Sequence, residues 1–167
     1  APQTWTSDDT DAIERLKIQY GASMVYPLSA IGSHVSEVPN HQVARMTSLK
    51  MRSDVALFGT FGYELDVTKL SQREKSQVKN QIILFKKHRM LLHTGTFFRL
   101  QSPFNGNVCA WMVVSENQTE ALIGYYQVLA EPNPLYQRLR LKGLNADFDY
   151  TVWEKEQVRT GKDLMAV

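Results

Sequence analysis

The chain changes character near residue 95, and that change limits what it can fold into. Up to that point short apolar runs alternate with helix-length patterns; beyond it no helix-length pattern separates the runs. Strand, helix, strand, helix, strand, helix is the order of βα units on a parallel sheet. Three such units cannot cover a parallel sheet by themselves, and a complete β/α barrel takes about 250 residues. The chain has 167. The expectation is therefore α/β followed by all-β. Residues 1–95 read as the last strands and helices of a (β/α) barrel, and residues 96–167 as an antiparallel, β-sandwich-like domain. This is the end of a larger protein on that expectation, cut short at Val167, because "TGKDLMAV" stops without a terminating element.

In the first part, "QTWTS" is a short strand. Ile13, Leu16 and Tyr20 then recur on one helix face, with Gly21 placed to end it. Asp11 and Glu14 stand in capping-box spacing. "SMVYPLSAIG" reads as a buried strand, "SHVSEVPNHQ" as a loop, "QVARMTSLKMR" as a helix and "VALFGTFGYEL" as a second apolar strand. Ser71 and Glu74 form another capping box, opening a long helix striped with Val78, Ile82, Phe85 and Leu92. In the second part, "TFFRLQ", "CAWMVVS", "ALIGYYQVLA", "RLRLKGL" and "FDYTVW" are short β-rich runs divided by turn clusters. Trp111 and Trp153 are core candidates there.

"WTSDDTD" places three aspartates within four positions, directly before a helix. An EF-hand loop needs alternating ligands and a glycine at its sixth position, which are absent, so no metal is expected. Asp11 suits the helix cap, and Arg15, four residues on, can reach it across one turn. Asp8 and Asp9 can simply sit in the loop, favoured by the helix dipole. Alternatively, Asp8 stands at the C-terminal end of a parallel strand, the face where β/α barrels do chemistry. Beside other carboxylates and a tryptophan its ionised form would be disfavoured, as a general acid requires.

Composition narrows the partners. A net charge of +2 with mixed signs argues against a nucleic-acid surface. No apolar run is long enough to suggest a membrane span. One cysteine, Cys109, excludes an internal disulfide and fits a reducing compartment, so the expected location is cytoplasmic. No cofactor is expected.

The string "WTSDDTDAIERL" resembles the Ser-Asp-x-x-Asp-x-x-x-Arg motif of glycoside hydrolase family 36, the bacterial α-galactosidases, on Ser7, Asp8, Asp11 and Arg15. The likeness continues through "YGASMVYPLSAIGSHVSEVPNHQ", "ALFGTFGYELD", "AWMVVSE" and "GYYQVLAEPNP". It implies a catalytic barrel followed by a β domain, and a retaining hydrolase of terminal α-linked galactose, as in melibiose or raffinose. It implies Asp8 as the general acid/base, with Asp11 and Arg15 supporting it. The family's nucleophile is an aspartate in a Lys-Trp-Asp type motif, and no such string occurs here. The chain alone is thus expected to be inactive, the N-terminal part of the enzyme supplying the nucleophile. A galactoside oligosaccharide is the expected substrate and a homo-oligomer the expected assembly. Trp5 and His34 are candidate sugar contacts. The alternatives are an α-N-acetylgalactosaminidase or galactosyl transferase, or a non-catalytic carbohydrate-binding or oligomerisation fragment.

Overall fold

The computed structural model describes residues 3–134, 137–153 and 156–166. The chain divides into two compact units, Ala1–His93 and Thr94–Val167.

In the first unit the strands run parallel and the helices cross between them. Thr4 bridges Ile31 in parallel. β1 (His34–Ser36) pairs in parallel with β2 (Gly62–Glu64), His34 opposite Gly62 and Ser36 opposite Glu64. α1 (Ala12–Ala22) and α2 (Leu49–Ala56) form the crossovers, and α3 (Gln72–Thr94) follows β2. α3 begins on a complete capping box. Ser71 N–H donates to Glu74 Oε2 at 2.8 Å, and Glu74 N–H donates to Ser71 Oγ at 3.3 Å. Of its apolar stripe, Val78 packs beside Val35, Leu49 and Ala56, and Phe85 stacks on Phe61 at 5.0 Å.

The alternation is as expected, but several elements move. "SMVYPLSAIG" is not a strand: Met24, Val25 and Tyr26 are exposed, and a single 3₁₀ turn occupies Leu28–Ala30. The strand lies in the segment expected to be a loop. The helix expected from Gln42 begins at Leu49, where Ser48 Oγ accepts the Met51 N–H at 3.1 Å. "VALFGTFGYEL" splits, Val55 and Ala56 closing α2 and only Gly62–Glu64 forming a strand. The turn between them needs Gly59, where a Cβ would fall 2.3 Å from Ser33 Oγ.

The second unit is antiparallel. β3 (Thr96–Gln101), β4 (Val108–Val114) and β5 (Ala121–Gln127) form one sheet with β4 central. β6 (Asp149–Val152) and β7 (Gln157–Thr160) form a hairpin, followed by α4 (Gly161–Ala166). β4 is buried on both faces from Cys109 to Val114. One face carries Met112 and Val114 against Leu141 and Leu144, with Phe98, Tyr150 and Leu164 around them. The other carries Trp111, 5.2 Å from the ring of Tyr126. Trp111 pairs across the ladder with Gly124, where a Cβ would lie 2.7 Å from the indole nitrogen. Cys109 is wholly buried in β4, and burial pushes its thiol up to about 12.

Here too there are corrections. "RLRLKGL" forms no strand, although its alternation is real: Leu141 is buried while Arg140 and Lys142 are exposed. The layer over Met112 is built from that segment, the hairpin and α4 rather than from a second large sheet. Trp153 is 85% exposed, not core. "TGKDLMAV" holds a helix.

Candidate active site around the aspartate cluster

The three aspartates do three different things. The expected strand "QTWTS" reduces to the single bridge at Thr4; Ser7 Oγ then accepts the Asp9 N–H at 3.0 Å and Asp9 Oδ1 the Asp11 N–H at 2.9 Å, so two tight side-chain turns lead into α1. Asp11 Oδ2 then caps α1, accepting the Ile13 and Glu14 N–H groups at 3.1 Å each. The reciprocal half of the expected capping box is missing, because Asp9 has already taken the Asp11 N–H. Asp8 alone is turned away from the backbone. It is exposed, and its Oδ1 accepts the indole N–H of Trp5 at 2.8 Å.

Arg15 does not pair with Asp11. Arg15 is 3% exposed, and its guanidinium donates to main-chain carbonyls: Gly32 O at 2.6 Å and Ser7 O at 3.4 Å. It thereby ties the loop carrying Asp8 to the segment leading into β1. Burial lowers its pKa from the ordinary value, opposed by Asp9 and Glu64. The partner of Asp11 is Arg45, 34 residues away. A loop built on Asn40 delivers it: Asn40 Oδ1 accepts the Gln42 and Val43 N–H groups, and its Nδ2 donates to Thr10 Oγ1 at 2.9 Å. Gln19, one turn beyond Arg15 and equally buried, donates to the carbonyls of Val55 and Phe58 at 3.0 and 3.3 Å.

Trp5 and His34 are brought together. Their rings stack 4.9 Å apart at 11°. His34 lies on β1 rather than in a loop, and Glu64 Oε2 on β2 is 2.8 Å from its Nε2. Burial lowers the His34 pKa from the ordinary 6.5, with Glu64 opposing and Arg15 adding to the fall. These side chains, with Gln3, Thr60 and Tyr63, line a shallow hollow of about 280 Å³; Asp8 is not part of the lining and meets it through Trp5. Burial pushes the Tyr63 hydroxyl up to about 12, and it donates to Gln81 Oε1 at 2.8 Å. Among the described residues no group of three or more His, Cys, Asp or Glu side chains is placed to hold a metal ion.

Arg45, Gln19 and Glu64 carried no signal in the sequence. Only Glu64 falls in a string that carries the family likeness, "ALFGTFGYELD", and each acts on a residue at least thirty positions away.

Comparison with known proteins bears on both units. Residues 1–95 match the melibiase family, and residues 108–167 match the glycosyl hydrolase family 36 C-terminal domain. The α-galactosidase AgaA of Geobacillus stearothermophilus is 57% identical over 164 residues, 98% of this chain and 22% of that enzyme. The bifunctional α-galactosidase/sucrose kinase AgaSK of Mediterraneibacter gnavus is 47% identical over 165 residues, 99% of this chain and 18% of its own length. The crystal structure of AgaA superposes with a TM-score of 0.95, covering 98% of this chain and 23% of that one. Variants of AgaA have been crystallised with raffinose and with stachyose, each at a TM-score of 0.94. The chain thus spans about a fifth of the length of the relatives it matches.

Proposed function

Because the chain belongs to the α-galactosidases of glycosyl hydrolase family 36, we propose that it forms the end of a catalytic (β/α) barrel and the β domain after it. The complete enzyme would remove terminal α-linked galactose from oligosaccharides of the raffinose and stachyose type. Asp8 would be its general acid/base, and the nucleophile would come from the polypeptide preceding this chain. One observation carries the assignment. Of three neighbouring carboxylates, Asp9 and Asp11 are committed to backbone N–H groups, while Asp8 is exposed just beyond the parallel bridge at Thr4.

The chemistry follows from two carboxyl groups about 5 Å apart across the scissile bond. Asp8 Oδ2 delivers its proton to the glycosidic oxygen as the bond to the anomeric carbon breaks and the nucleophile's bond to that carbon forms. The leaving sugar departs as an alcohol. The Asp8 carboxylate then takes a proton from water as that water displaces the nucleophile, restoring both groups. Asp11 and Arg15 act behind Asp8, one starting the helix and the other pinning the loop to Gly32.

In the complete enzyme, Asp8→Asn should lower kcat/KM on galactosides with poor leaving groups by about 10²–10⁴ while leaving the unfolding midpoint in place. An Asp8→Asn enzyme with wild-type activity would end this assignment.

A further inference from the structure

The indole that donates to Asp8 belongs to a longer chain of side chains. Trp5 donates to Asp8 Oδ1 at 2.8 Å, and its ring lies flat on that of His34. The His34 side chain is 8% exposed and meets Glu64 Oε2 at 2.8 Å. Trp5 follows the bridge at Thr4, His34 opens β1 and Glu64 closes β2, so three neighbouring parallel segments supply one member each. We infer that Trp5 is a positioning residue for the acid/base carboxyl, its ring plane set by His34 and Glu64 behind it. This rests on the assignment of Asp8 above.

A carboxylic acid carries its proton on one oxygen and accepts hydrogen bonds best on the other. With Oδ1 occupied by the indole N–H, the acid proton belongs on Oδ2, which has no protein partner among the described residues. Indole nitrogen is a donor only, so it cannot take the proton or reverse the arrangement. Trp5 is 55% exposed. So exposed a ring holds one plane only against a surface, and the His34 ring, its side chain 8% exposed and its Nε2 2.8 Å from Glu64 Oε2, provides it.

The two roles differ in their dependence on the leaving group. In the complete enzyme kcat/KM would be measured with methyl and with dinitrophenyl α-galactoside, the first needing acid assistance and the second scarcely. Trp5→Phe keeps a ring on His34 and removes the N–H. It should cost about tenfold with the methyl galactoside and less than about twofold with the dinitrophenyl one. His34→Ala, checked for folding by circular dichroism, should show the same split at about threefold. Equal losses on both substrates would mark Trp5 as a sugar contact or a structural residue and overturn the inference, as would no loss at all. Asp8→Asn runs alongside. If it lacks the split, the acid/base assignment falls and takes this inference with it. If it shows the split and Trp5→Phe does not, only the inference falls.

Discussion

The two units bury different things. Every buried polar or charged side chain among the described residues lies in the first: Thr10, Asp11, Arg15, Gln19, Ser33, Ser36, Asn40, Arg52 and Ser53. The buried apolar core of the second is Cys109, Ala110, Trp111, Met112, Val113, Val114, Tyr126, Leu141 and Leu144. In the first unit side chains hold carbonyls and N–H groups, as Arg15 holds Gly32, Gln19 holds Val55 and Arg52 Nη1 holds Ser36 at 2.5 Å. Such bonds are directional, and they fix where loops stand. Apolar packing in the second is non-directional and supplies stability in proportion to area. Both units cohere through apolar side chains, Leu16, Ile31, Val35 and Val55 among those of the first, and the unit bearing the candidate site adds polar wiring that fixes position.

The contrast can be broken by substitution. Trp111→Ala should be the most damaging change, destabilising the second unit by about 3–5 kcal/mol in chemical unfolding. It should leave the leaving-group dependence of kcat/KM alone; a change there would show that cohesion and position are not separate. Arg15→Met removes the donors to Gly32 and Ser7 and leaves the buried Gly32 carbonyl without its guanidinium partner, for a loss of about 2–3 kcal/mol in unfolding. A loss below about 0.5 kcal/mol, the size of an ordinary surface change, would collapse the contrast.

The smallest effect is one of pH. Burial favours the neutral ring of His34 in the folded state, whose pKa there lies below the ordinary 6.5. Its contribution to stability is therefore complete above 6.5 and is lost as pH falls through the lower, folded value. Urea midpoints on either side of that pH should fall on the acid side, and His34→Gln should flatten the slope. An unchanged slope in the variant would remove His34 as its source.

What the sequence showed follows the same divide. The three strands from Thr96 to Gln127 were legible, because short β-rich runs divided by turn clusters, with no helix-length pattern between them, leave strands as the reading. So was the capping box at Ser71, a local pattern. In the first unit a short apolar run such as "VALFGTFGYEL" fits a helix end as well as a strand, and it was both. The inner face of α1 was misread for a related reason. Ala12, Arg15, Leu16 and Gln19 are buried, while Ile13 and Tyr20 are only half-buried. Hydrophobic periodicity cannot see a buried arginine whose partners are distant carbonyls. Asp8 drew its role from the family motif; its neighbours Trp5, His34 and Glu64 met only through the parallel register.

One pairing has a consequence for how the chain finds itself. Because β4 is apolar on both faces, polarity cannot tell a correct alignment with β5 from one slipped by a residue. Shape can. The largest ring of the strand, Trp111, sits opposite Gly124, the one residue of β5 with no side chain. Any shifted alignment would set a side chain beneath that ring. The pair works as a key and its slot, an error check written in volume where the usual alphabet of wet and dry falls silent.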